Sequence, residues 1–263
     1  MVARTLAAAL VLAVAAPATA GLADRAGATF ALMADDFIAA FQPREGVVVH
    51  VNGDSIYLDL GADAVQVGQE FTIFRKGDVF THPFTGKPLG RYEDVLGYGQ
   101  VKLVRPRFSE ARFIPAPGKP RPVPEDGARI TKGRIRTAVT PVLDLTGSAA
   151  DLRRVPYLIA GALERSKRFQ VVDPIIVRDT LTSASVRVAE VLARPDRASR
   201  AATDLDVVGW VVPILIERRG ITYLDVTWVS AVTGTALFSR RRPLVPAGTI
   251  EEQRFPWEPR AED

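Results

Sequence analysis

The chain has no cysteine, only two histidines, His50 and His82, and no apolar run long enough to span a bilayer, which needs about 20 residues. The missing thiols exclude disulfides, thiolate nucleophiles and every metal site that uses cysteine. Two histidines, neither in a metal-ligand spacing, leave little for general acid–base work. No G-x-S-x-G elbow surrounds Ser148, Ser166, Ser183 or Ser185, which removes the usual esterase signature. The glycine-rich turns are followed neither by Gly-Lys-Ser/Thr nor by a strand-to-helix G-x-G-x-x-G, so no phosphate cradle is encoded. No EF-hand spacing is present, and no cofactor is expected.

At the N-terminus stand Arg4, an apolar run from Leu6 to Ala16, and Ala18-Thr19-Ala20. This is the pattern of an export signal with cleavage after Ala20, and it predicts a soluble periplasmic protein, possible as a peripheral partner of the outer membrane but not an integral one. Export disfavours nucleic acid as a partner. About 240 residues remain, enough for two modest cores, and 47% apolar with 24% charged residues is ordinary globular composition. The 34 Lys and Arg are interspersed with 30 acids, for a net +4, so no strong field follows. The basic clusters Arg153-Arg154, Arg165 to Arg168 and Arg240-Arg241-Arg242 are read as solvated faces.

Residues 21–43 form one helix, because Phe30, Met33, Phe37, Ile38 and Phe41 recur at helical spacing and Pro43 stops them; it is expected to lie as a lid on the domain that follows. From residue 44 the period falls to two. Val47, Val49 and Val51 lead to a hairpin turn at Asn52-Gly53, both expected at positive φ, and Ile56, Leu58 and Leu60 return. Gly61 is expected to hold positive φ at the strand end, and Gly68 and Gly86 mark further turns. Arg75-Lys76-Gly77-Asp78 reads as another turn, and residues 81–90 as a loop rich in Gly and Pro. Strands follow at 95–105 and 109–113. Short strands without helical period predict a small closed antiparallel barrel over residues 44–133, with the five prolines of 115–124 as an extended loop.

The second half, residues 134–245, alternates strand and helix in the order β-α-β-α-α-β-β-β, a mixed α/β unit ending in an antiparallel meander. A strand spans 135–145. The next helix starts at Ser148 by its capping-box spacing with Asp151, or near Val155 if Pro156 is to be accommodated. Val177, Leu181, Ala184 and Val188 make one helical stripe, and 207–216 is a strand covered on both faces. Residues 246–263 form a tail. The fold class is therefore α+β in two domains.

Gly46-Val47-Val48-Val49-His50-Val51, Asp54-Ser55-Ile56-Tyr57-Leu58-Asp59-Leu60-Gly61, Val67-Gly68-Gln69-Glu70-Phe71 and Pro83-Phe84-Thr85-Gly86-Lys87-Pro88-Leu89-Gly90 resemble the C-terminal SH3-like barrel of the flagellar assembly protein T family. Phe169-Gln170-Val171-Val172-Asp173 and Thr233-Gly234 are similar to the N-terminal domain of TolB and to CsgG-like envelope domains. The order of the modules departs from the flagellar family's. The resemblance implies a non-enzymatic periplasmic part of an envelope machine, such as a flagellar basal-body ring, whose partners are other envelope proteins.

Asp54, Asp59 and Asp63 are read as turn-making residues rather than a calcium or acid–base cluster, and His50 as a barrel-wall residue. Trp210 and Trp228 are read as core, with Trp257 in the tail. Exposed aromatics Tyr57, Phe84, Tyr92 and Tyr98, with His82, form the candidate interaction surface. Three functions compete: an assembly protein that binds envelope proteins, a binding module for peptidoglycan or a peptide or an accessory of secretion or polysaccharide export, and a hydrolase of unfamiliar type.

Overall fold

The computed structural model describes residues 21–246. The export signal over 1–20 and nearly all of the tail, with Trp257, lie outside the described residues. Two sheets organise the chain, one closed on itself and one open with helices on both faces.

Helix α1 (Leu22–Ala39) buries Ala23, Ala26, Phe30, Met33, Ala34, Phe37 and Ile38 on one stripe. That stripe does not cover the barrel. It packs against helix α2 (Val155–Arg165) and the second sheet, with the Phe37 ring 5.5 Å from Phe238 and the Phe41 ring 4.6 Å from Trp228. The barrel needs no lid, because Val48, Ile56, Leu58, Phe71, Ile73, Leu96 and Phe113 already fill its interior, whereas the open sheet has an apolar face that α2 covers only in part.

Six strands close the barrel: β1 (Arg44–Asn52), β2 (Ser55–Leu58), β3 (Glu70–Thr81), β4 (Pro88–Val104), β5 (Ser109–Pro115) and β6 (Gly127–Ile130). The order β1-β2-β5-β4-β3-β6 is antiparallel throughout, and β6 returns to β1. The first hairpin differs from expectation by one residue. Asn52 pairs with Ser55, so the loop is Gly53-Asp54, and only the glycine takes positive φ, at 58°. Gly61 is also reassigned. It is outside the left-handed region, and a Cβ there would sit 2.2 Å from the carbonyl oxygen of Pro106, so close backbone approach is what requires glycine. Gly68 and Gly86 do hold positive φ, at 88° and 66°.

The proline-rich segment is strapped along the barrel. Ala116 N–H donates to Leu96 C=O at 2.9 Å, Lys119 pairs with Asp94 at 2.6 Å, and Arg121 donates to Gly53 C=O and to Asp54.

The open sheet runs β12-β11-β10-β7-β9, from β7 (Ile135–Val139), β9 (Phe169–Val172), β10 (Gly209–Arg218), β11 (Ile221–Ser230) and β12 (Ala236–Pro243). β7, β9 and β10 are parallel, and the last three strands form an antiparallel meander. The single strand expected over 135–145 is broken by Pro141, which has no N–H to donate; β8 (Leu143–Asp144) resumes the pairing with β10. Helix α2 begins at Val155 with Pro156 in its first turn, while Ser148 donates to Asp144 instead of capping. The stripe from Val177 to Val188 divides into α3 (Pro174–Ser183) and α4 (Val188–Ala193), separated by Ser185 at φ 52°, and α5 (Pro195–Asp204) follows. Helices α3 to α5 cover the face opposite α1 and α2, around the fully buried Trp210.

The chain therefore begins on the open sheet, leaves to build the barrel, and comes back. Both crossings are clamped by Arg168, which is 7% exposed and donates to the carbonyls of Phe41, Thr131 and Gly133. Of the Arg165 to Arg168 cluster, Arg165, Ser166 and Lys167 are exposed as expected, and Arg168, just before β9, is the exception to a solvated face. Gln69 Nε2 donates to Ala40 C=O at 2.7 Å, and Arg240 to Gln66 at 2.8 Å, adding to the junction.

Candidate interaction surface

The far half of the β3–β4 hairpin is an exposed feature of the described residues. β6 accompanies β3 only at Thr72–Phe74, and β5 accompanies β4 from Gly97 onward. Beyond those residues the two strands pair only with each other, out to Thr81 and Pro88. The result is a two-stranded arm with both edges open, reaching about 20 Å at ~3.3 Å per residue. Arg75-Lys76-Gly77-Asp78 is not the turn expected there. It is absorbed as a bulge, with the register shifting between Lys76 and Val79, and β3 continues through it.

Phe84 at the tip is 93% exposed, Tyr92 63%, and Val79, Phe80 and Leu89 about half. The tip is folded by its own bonds. His82 Nδ1 accepts from the N–H groups of Phe84 and Thr85 at 3.2 and 3.3 Å, which requires that nitrogen to carry no proton. Gly86 N–H donates to His82 C=O at 2.9 Å, and the exposed Phe84 ring has one ring neighbour among the described residues, His82, at 5.9 Å. The base is fixed by ion pairs. Arg75 grips the buried Asp126 with two bonds of 2.8 Å, and Arg129 meets Glu93 at 2.6 Å while lying over the Phe74 ring.

His82, Phe84 and Tyr92 therefore share the arm. Tyr57 does not; it stands on the barrel wall beside His50 and Phe108. Tyr98 lines a small cavity of about 110 Å³ between barrel and open sheet, with Glu70, Trp228 and Phe238. Val79, Phe80 and Leu89 were missed because the Arg75–Asp78 stretch looked like a chain reversal. At the junction Glu70 accepts from Gln100 and Ser230, each at 2.8 Å, and desolvation pushes its pKa up despite those bonds.

The acids do not converge. Asp54 pairs with Arg121, Asp59 accepts from Val47 N–H at 2.7 Å, and Asp63 joins neither. Among the described residues no group of three His, Asp or Glu is placed to hold a metal ion. Trp210 donates to Ala198 C=O and Trp228 packs on Phe41, both within cores. No described helix is long and apolar enough to cross a membrane.

The chain matches no protein-family profile. A protein of Aquifex aeolicus (strain VF5) described as uncharacterized is 33% identical over 87 residues, which is 32% of this chain and 17% of that protein. The chain thus spans about a sixth of the length of that relative. Among solved structures, the LpoB C-terminal domain from Escherichia coli is similar at TM-score 0.37 and 12% identity, covering 44% of this chain and 86% of that one. Lipoprotein GNA1162 from Neisseria meningitidis is similar at TM-score 0.34 and 13% identity, covering 45% and 89%.

Proposed function

We propose that this protein is a non-enzymatic periplasmic assembly factor of a bacterial envelope machine, and that it docks another envelope protein through the β3–β4 arm. The observation that carries this reading is the arm itself. A two-stranded ribbon with open edges offers unpaired backbone groups for strand addition, and Phe80, Phe84, Leu89 and Tyr92 offer anchors that water now covers. The Phe84 ring lies beside the His82 ring and is otherwise left to water, and the Arg75–Asp126 pair ties the base of the arm to the barrel, which lowers the ordering cost of binding. The N-terminal signal pattern supports the periplasm as the compartment. The resemblance of the barrel residues supports a flagellar basal-body ring as the particular machine.

The test is affinity isolation from envelope extracts with wild type and with a Phe80→Ser, Phe84→Ser double variant. Wild type recovers a defined partner that the variant loses, while both melt alike because neither side chain is core. Equal recovery by both proteins removes the arm from the reading. Sedimentation of the purified protein with sacculi separates the peptidoglycan-binding alternative.

A further inference from the structure

A second site, which shares no residue with the arm, lies on the open sheet. β7 and β9 are adjacent and parallel, but their connections leave in opposite directions: the chain after β7 reaches α2 on the α1 face, and the chain after β9 enters α3 on the opposite face. Where neighbouring parallel strands part like this, a crevice opens beyond their carboxyl ends, and ligands of open α/β sheets bind in such crevices. Here the crevice is about 340 Å³, within the range of small-molecule sites.

Its lining has a definite chemistry. Pro141 after β7, Pro156 in α2 and Pro174 in α3 come from three separate segments, and each fixes its backbone and offers no N–H. With Val142, Leu152 and the half-exposed Tyr157 they make a stiff apolar wall with one hydroxyl. Two guanidiniums stand at the rim, Arg153 from the loop and Arg178 from α3. Each is engaged only in an exposed ion pair, Arg153 with Asp151 and Arg178 with its neighbour Asp179. Solvent screens both pairs; Arg153 holds both oxygens of Asp151, whereas Arg178 meets a single oxygen of Asp179 and is the more readily released to an incoming anion. Two acids stand nearby, Asp151 in the lining beside Arg153 and Asp173 as the N-cap of α3 with its carboxylate on Ile175 N–H; neither lies within the first turn of either helix, and Arg178 is the guanidinium without an acid of the lining beside it.

The geometry points to a binding site for a small amphiphilic anion, an apolar ring body held between the prolines and Tyr157 with its acidic head group toward Arg178 and Arg153. The test uses anilinonaphthalene sulfonate as probe and the uncharged phenylnaphthylamine as its control, with the full chain. The sulfonate binds saturably at one site per chain, and amide shifts on binding concentrate in residues 141–157 and 174–178. The uncharged probe binds about tenfold more weakly, and Arg178→Glu weakens the sulfonate about tenfold, which corresponds to ~1.4 kcal/mol. Arg178→Gln gives an intermediate loss, and Phe84→Ser on the arm leaves affinity unchanged. Shifts confined to the arm, or no saturation, overturn the site. Equal affinity for the two probes, or an unchanged Arg178→Glu variant that melts like wild type, overturns the anionic specificity. The Phe84→Ser control keeps this result separate from the arm's role in docking.

Discussion

Replacing Arg168 by methionine keeps the length of the side chain and deletes its donors. Three backbone carbonyls then lose their partner: Phe41 at the end of α1, and Thr131 and Gly133 on the way out of the barrel. Hydrogen bonds from a charged donor contribute about 1.5–3 kcal/mol each, but the sum is not the expected effect. Thr131 and Gly133 are exposed and take water instead, whereas Phe41 is buried and its carbonyl is left dry at a cost of about 1–3 kcal/mol. Burial also lowers the Arg168 pKa, and no carboxylate among the described residues faces it, so removal recovers part of a desolvation cost. The net is a loss of about 1–2 kcal/mol, or roughly 2–8 °C in a chain of this size. Urea and thermal unfolding followed by tryptophan fluorescence measure it, since Trp228 packs on Phe41. Arg168→Lys, whose single ammonium cannot span three carbonyls, falls between. Limited proteolysis of Arg168→Met is expected to cut near residues 42–44 and 131–134, where the two crossings run. A methionine variant within about 0.5 kcal/mol of wild type, with no new cleavage, would refute the clamp.

Gly61→Ala should cost about 1–3 kcal/mol by driving a methyl into the Pro106 carbonyl, while Gly53→Ala, with open space but φ of 58°, should cost about 1–2 kcal/mol from backbone strain alone. Urea midpoints decide, and a neutral Gly61→Ala contradicts the contact. Glu70 has its folded pKa raised, so the folded chain holds that proton more tightly; its contribution is full below the unfolded value of 4.5 and is lost as pH rises through the folded one. Glu70→Gln should therefore flatten the decline in stability above about pH 4.5 and be neutral or stabilising at pH 7; parallel melting profiles for the two proteins refute this. Asp126→Asn should cost about 2 kcal/mol, discounted for the partly exposed Arg75, and should loosen the arm, read as faster amide exchange over residues 75–81; protection equal to wild type contradicts the anchoring role.

Local signals in the sequence were legible where a residue acts on its neighbours. The hairpin strands after residue 44, the stripe of α1 and the strand Phe169–Val172 follow from local period and need no distant partner, but the face of β1 does not: Val48 is the buried residue while Val47 and Val49 are exposed, because the register shifts between Val48 and His50. What an amphipathic stripe does not state is the identity of the surface it covers. The partners of α1 lie more than a hundred residues on, so its placement on the open sheet was invisible. Arg168 was hidden for a related reason, because three backbone carbonyls have no sequence signature, and a basic cluster usually means a wet face. The arm was concealed by chemistry with two outcomes: Lys76-Gly77-Asp78 suits a turn and suits a bulge equally, and only pairing with Arg91 and Glu93 selects the bulge. Pro141 marked its own effect, a break in β-pairing, but within an apolar run it was outweighed by Val139, Val142 and Leu143.

The most direct measurement places a photoreactive amino acid singly at Phe80, Phe84 or Leu89 on the arm, and at Val123 or Ile221 as exposed positions elsewhere, in cells that carry the protein. The arm positions should give one adduct of common mass that an unlabelled wild-type chain competes away, and the control positions none. Adducts of the same mass from Val123 or Ile221, or none from Phe84, would contradict the assignment of the arm as the docking element.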